Sequence, residues 1–143
     1  MMKNICYGCM SQNTMSQEAG NLCTACGYQH KETEQASFNL IPGTTLNNGA
    51  YLVGEPLGQG GFGITYIGWD LKLDIKLAIK EYYPQAAGGR SSNGVTVAPY
   101  SGAKGEDFNY GLTKFLDEAK TVARFQGHPC VVSVLSFFEE NGT

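Results

Sequence analysis

Four cysteines fall into two pairs, Cys6-x-x-Cys9 and Cys23-x-x-Cys26, with thirteen residues between the pairs. A C-x2-C pair lets two thiolates grip one ion from a tight turn, and a second pair completes a tetrahedron. The segment between them, SQNTMSQEAGN, has almost nothing with which to build a core. About thirty residues without a core do not fold unaided, so a metal must supply the missing stabilisation. Gly27, directly after the second pair, suits a knuckle turn that needs positive φ. Residues 1–10 (MMKNICYGCM) have no apolar signal-peptide core, so export is not indicated and a cytoplasmic setting is expected. A reducing compartment disfavours two disulfides, and the paired spacing disfavours unrelated thiols. Four thiolates with no redox partner suit a closed structural Zn2+ site, although spacing alone leaves iron open.

Residues 1–30 resemble a zinc ribbon. Such a site is structural, so no reaction follows from it. Its local basic residues are only Lys3 and Lys31, and the whole chain carries a formal charge of −3. Nucleic-acid binding needs clustered positive charge, so a packing or protein-contact role is expected instead. The longest apolar stretch, Cys130 to Phe138, is broken by serines and is far shorter than the roughly 20 residues of a membrane span. No membrane contact is expected within this chain, and Cys130 is expected to be a buried small hydrophobe.

Residues 31–50 are polar and turn-rich and read as a linker. From Tyr51 the pattern changes. Tyr51 to Leu57 predicts a strand, residues 58–63 a turn, Ile64 to Trp69 a second strand and Ile75 to Ile79 a third. In the third, Ile75, Leu77 and Ile79 alternate with Lys76, Ala78 and Lys80, so the apolar set packs inward and Ala78 and Lys80 look out together. A Gly- and Ser-rich loop is expected from Pro84 to about Gly105. Asp107 to Phe125 predicts a helix, with a stripe of Phe108, Leu112, Phe115, Leu116, Ala119, Val122 and Ala123. Glu118 lies on the edge of that stripe and Asp117 opposite it. Val131 to Phe138 predicts a buried strand, followed by the hairpin-turn signal Asn141-Gly142.

The spacing Gly58-x-Gly60-x-x-Gly63 does not discriminate by itself, because dinucleotide-binding folds share it. Its flanks do. A dinucleotide fold opens a helix at the third glycine, whereas here Ile64-Thr65-Tyr66-Ile67 continues as a strand, and Leu77-Ala78-Ile79-Lys80 follows. The segments LGQGGFGITY (57–66), LAIKE (77–81), FLDEAKTVARF (115–125) and HPCVVSVLSFFEENGT (128–143) resemble the N-terminal lobe of a eukaryotic-like Ser/Thr protein kinase. The resemblance covers residues 51–143, only the first part of a kinase domain. It implies an α+β fold, an antiparallel five-stranded sheet with one main helix, beside the small ribbon.

The resemblance also implies roles. Gly58, Gly60 and Gly63, with Gln59 and Gly61, would let the backbone approach phosphate oxygens, and Phe62 at the tip would cover them from water. Leu57, Thr65 and Ala78 would line the adenine slot, Thr65 standing where the family usually has Val. Lys80 would hold the α- and β-phosphates of ATP, oriented by Glu118. The 38 positions from Lys80 to Glu118 exceed the usual family gap, which an extra segment within 84–105 would explain. Asp107-Phe108 is followed by Asn109 and reads as a helix start rather than as the metal-binding Asp-Phe-Gly.

The sequence contains no His-Arg-Asp loop, Asp-Phe-Gly or Ala-Pro-Glu. The resemblance implies that the parent protein phosphorylates a protein substrate with ATP and Mg2+, and that this chain alone is inactive, because in the family those groups come with a C-terminal lobe. A non-catalytic adaptor that binds a partner protein through ribbon and lobe is the alternative. Charged residues are 16% of the chain against about 25% in typical domains, which implies surface normally covered by that C-terminal lobe, or by self-association.

Overall fold

The computed structural model describes residues 4–18, 20–30 and 38–143. Lys3, Lys31 and the 31–37 part of the expected linker lie outside the described residues. The chain divides into two compact units: Met1–Gly60 with Ile64–Glu81, and Gly61–Gly63 with Tyr82–Thr143.

In the first unit, β1 (Met15–Ser16) and β2 (Leu22–Cys23) form a small antiparallel pair between the two cysteine turns. A second, four-stranded sheet has the order β3-β4-β5-β6, from β3 (Thr45–Leu46), β4 (Tyr51–Gln59), β5 (Gly63–Asp70) and β6 (Ile75–Tyr82). The three predicted strands are all present, each slightly longer than expected. β3 arises within the segment expected as a linker, where Leu40, Leu46 and Ala50 are also buried.

β5 is covered on both faces. Leu77 and Ile79 of β6 crowd the position where Gly68 would carry a Cβ, so they share a face with Gly68, Tyr66 and Ile64. On that face the Tyr66 hydroxyl accepts a bond from the Leu40 amide (2.9 Å) and donates to Glu81 Oε2 (2.8 Å), which gives a buried carboxylate a partner. On the opposite face Ile67 and Trp69 join Leu52 of β4 and two residues from the cysteine turns, Ile5 and Met10, in one cluster, with Tyr7 packed against it. Ile75, expected to point inward, is 38% exposed at the edge of the sheet.

In the second unit, the expected 84–105 loop contains a hairpin, β7 (Gly88–Arg90) and β8 (Val97–Pro99). Its turn was hidden by composition but has a clear local cause: Asn93 Oδ1 accepts from the amides of Val95 and Thr96. The helix α1 (Ala103–Ala123) starts four residues before the predicted Asp107. Within it Phe108 is fully buried against the Tyr82 ring, 5.2 Å between centroids, and the rest of the predicted stripe is half-buried. Asp117 is exposed and pairs with Lys120 at 4.0 Å.

Three expectations are corrected. Among the described residues the main sheet has four strands, not the expected five. Val131 to Phe138, the expected fifth, lies outside every sheet, and its Val132, Leu135 and Phe137 are exposed. A strand needs a ladder partner as well as β-branched composition, and among the described residues none pairs with this run. Cys130 is exposed rather than buried. The Asn141-Gly142 turn does form: both residues have positive φ (56° and 83°), and Glu140 and Thr143 exchange both backbone bonds at 2.9 and 3.1 Å.

Candidate functional site

The four paired cysteines converge. Their Sγ atoms all lie within 4.8 Å of one another, with Cys6 to Cys26 at 3.7 Å and Cys9 to Cys23 at 3.8 Å. Four sulfurs about 2.3 Å from one central ion at tetrahedral angles stand about 3.8 Å apart, so the spacing fits a metal and is far too long for disulfides. Both turns have the same build. The amide of Met10 donates to Cys6 O, and that of Gly27 to Cys23 O, each at 2.8 Å. Each donor has positive φ, 59° at Met10 and 75° at Gly27. The sequence revealed the second knuckle through its glycine and concealed the first behind a methionine.

The thiols are pulled in opposite directions. Burial pushes Cys6 up to about 12. The Tyr28 amide works to lower Cys26, but burial and the Cys9 and Cys23 thiols leave it raised. Burial works against ionisation of Cys9, but bonds from the Ser11 hydroxyl and amide leave it lowered. The hydrogen-bond contact with the Thr14 hydroxyl, 3.2 Å from Cys23 Sγ, holds Cys23 down at about 6. Thr14 was not singled out from sequence, because an isolated threonine in a polar run carries no spacing signal.

The glycine-rich segment joins β4 to β5, with Gly58 paired to Thr65 and Gln59 to Ile64. Gly58, Gln59, Gly60 and Gly61 are exposed, Gly63 is buried, and Leu57 and Phe62 are 62% and 71% exposed. A Cβ built on Gly58, Gly60 or Gly61 would meet nothing within 4 Å, and none of the three has positive φ. Neither packing nor backbone conformation within the chain requires glycine at these positions. The tip groups with the second unit, where the Tyr83 amide donates to Phe62 O at 2.9 Å.

Ala78 and Lys80 are exposed and alternate with Leu77 and Ile79, so they lie on the sheet face opposite Gly68. Thr65, half-buried, lies on that same face by alternation along β5, two residues from Ile67. Thr65, Ala78 and Lys80 are thus brought to one face of one sheet. The cysteine turns cover the far part of this face at Ile67 and Trp69. Glu118 is an exposed residue of α1, in the second unit.

No protein-family description matches this chain, and no curated protein does. Among solved structures, the apo form of PpkA-294 is similar, with 38% identity and a TM-score of 0.68. The match covers 74% of this chain and 36% of that one, so the chain spans about a third of the PpkA-294 length. This likeness supports a kinase-like fold, α+β with one helix and antiparallel sheets among the described residues. No helix among the described residues is long and apolar enough to cross a membrane.

Proposed function

We propose that this chain is the ATP-binding N-terminal part of a Ser/Thr protein kinase, carrying a structural zinc ribbon. The observation that carries the reading is the set of Gly58, Gly60 and Gly61: glycines with no conformational or packing demand inside the chain, at the exposed end of a hairpin. Glycine without an internal reason fits a backbone that something else must approach, and phosphate oxygens accepting from backbone amides are the ligand such a loop suits. The shared face of Thr65, Ala78 and Lys80 supports an adenine wall beside a phosphate-binding amine. The similarity to PpkA-294 supports a kinase-related domain.

In this reading Leu57, Thr65 and Ala78 flank adenine, residues 58–63 cover the triphosphate, and Lys80 holds the α- and β-phosphates. Mg2+ and the catalytic base come from a C-terminal lobe, so the chain alone binds nucleotide weakly and transfers nothing. Exposed Phe125, Val132, Leu135 and Phe137 support a covered surface, occupied by that lobe or by a second copy. The parent's acceptor is a protein hydroxyl. The Cys6, Cys9, Cys23 and Cys26 cluster would hold Zn2+ in a purely structural role.

Titrating the chain with Mg·ATP while recording amide NMR spectra tests this. Shifts should concentrate at residues 57–66 and 78–80 and vanish in Lys80→Met. Shifts absent there would leave the adaptor reading in possession.

A further inference from the structure

The sheet that carries the glycine loop does not stand apart from the cysteine turns. β4 bulges between Val53 and Pro56, so Gly54 and Glu55 leave the ladder with β5. The Glu55 amide turns instead to Tyr7 O, at 2.9 Å. A Cβ on Gly54 would collide with that same oxygen, with Met10 Cε and with Ile67 Cγ2, so Gly54 is glycine to let the first knuckle close on the strand. Tyr7 lies between Cys6 and Cys9, and Met10 follows Cys9 directly. Both residues that grip β4 and β5 are therefore held in place by the first cysteine turn. From the second turn, the Tyr28 phenol also reaches β4 through a hydrogen bond with the Glu55 side chain.

We propose that metal bound by Cys6, Cys9, Cys23 and Cys26 sets the order of the β4–β5 hairpin, by fixing Ile5, Tyr7 and Met10 in one core with Leu52, Ile67 and Trp69. This rests on the metal reading above but not on the nucleotide reading. Without an ion the first knuckle is held only by its backbone bonds (Cys6 N–H to Ser11 O and Met10 N–H to Cys6 O), weak thiol contacts and its packing on the sheet. Met10 then stays in the left-handed region, which a non-glycine residue enters at a cost, on the Cys6 bond and the sheet packing alone, and its order falls. Releasing Met10 and Tyr7 uncovers Ile67 and Trp69 and removes the acceptor of the Glu55 amide. The disturbance lies on β5, two residues from Thr65 along the strand that leads out of the glycine loop. The ribbon is then a metal-dependent clamp on the hairpin.

Hydrogen–deuterium exchange on the 143-residue chain tests this, with Zn2+ alone as the probe, alongside metal stoichiometry. Chelation should speed exchange of amides in 51–56 and 66–70 at least about tenfold, and Zn2+ should restore their protection. The only tryptophan of the chain, Trp69, should shift its emission to the red in parallel. Ile67→Ala is remote from the thiols: it should still bind one Zn2+ per chain but lose most of the Zn2+-dependent protection. One Zn2+ bound with unchanged exchange in 51–70 overturns the clamp and leaves the metal site standing. Full Zn2+-dependent protection in Ile67→Ala also overturns it, because the route would not be this core. Failure to bind Zn2+ overturns clamp and metal site together.

Discussion

Two glycines in β4 and the loop after it should respond in opposite ways to the same added methyl group. At Gly54 the methyl would stand 2.8 Å from Ile67 Cγ2, and still closer to Met10 Cε and Tyr7 O. Met10 can swing its terminal carbon, but Tyr7 O is main chain and is held by the Glu55 amide at 2.9 Å. Overpacking against a fixed atom costs about 2–3 kcal/mol. For a unit of this size that is a fall in Tm of roughly 10–20 °C. At Gly60 the methyl meets nothing within 4 Å and φ is not positive, so nothing native is lost. Restricting the unfolded chain contributes about 0.4–1 kcal/mol of stability, so Tm should stay level or rise slightly. Nucleotide should read the pair the other way round. Gly60→Ala occupies the space a phosphate oxygen needs and should abolish Mg·ATP-induced shifts, while remaining fully folded by circular dichroism. Comparable thermal losses at the two positions would refute the reasoning, because Gly60 would then serve the fold. An undiminished nucleotide response in Gly60→Ala would refute it as well.

Three further outcomes follow from single sites. Cys6, pushed up to about 12, and Cys26, also raised, are thiols at neutral pH, so an incoming ion must displace at least two protons; Cys23, near 6, is already ionised. Zn2+ affinity should therefore rise with pH, by up to about 100-fold per unit between pH 6 and 8, and a flat profile against a chromophoric competitor would contradict the assignment. Tyr66→Phe deprives the Leu40 amide of its acceptor and Glu81 of a donor inside the sheet; a loss of about 1–3 kcal/mol in urea unfolding is expected. Phe108→Ala removes the one fully buried side chain of α1, beside Tyr82 and beneath Gly88, and should cost about 3–5 kcal/mol, read as loss of helical signal on heating.

Local periodicity carried the core strands and the helix. Leu77 and Ile79 against Ala78 and Lys80 is a two-residue alternation long enough to fix a face, and the stripe from Phe108 to Ala123 fixes the helix register. What stayed hidden depended on partners distant in sequence. Thr45–Leu46 is too short to have a period and becomes a strand only because β4 lies alongside. Val131 to Phe138 has strand composition, yet composition does not supply a neighbour. The β7–β8 hairpin turns on one asparagine accepting two amides, which counts of glycine and serine do not reveal. Of the candidate site, the cysteine spacing was sufficient to predict convergence of all four sulfurs, because C-x2-C fixes each half locally. The Thr14 contact and the bulge at Gly54 were not legible, since each depends on where a second segment lies.

The same distinction bears on how the first thirty residues are held. A ribbon that lacks its own core was expected to take its stability from an ion alone. Three of its apolar side chains, Ile5, Tyr7 and Met10, in fact share one cluster with Leu52, Ile67 and Trp69 of the sheet. Burying Ile5 and Met10 there is worth about 1.5–3 kcal/mol each, a sum of the same order as the net stability of a small domain. The indole Nε1 of Trp69 is buried with no acceptor among the described residues, at a cost of about 1–3 kcal/mol. That deficit is tolerable only while the apolar contacts around it are complete. Ion and sheet therefore stabilise the ribbon jointly, and a polar substitution at Ile5 should weaken Zn2+ binding without touching a ligand. Competitive titration of Ile5→Asn against the unaltered chain measures that linkage: equal affinities would mean that the knuckle holds its shape without the sheet.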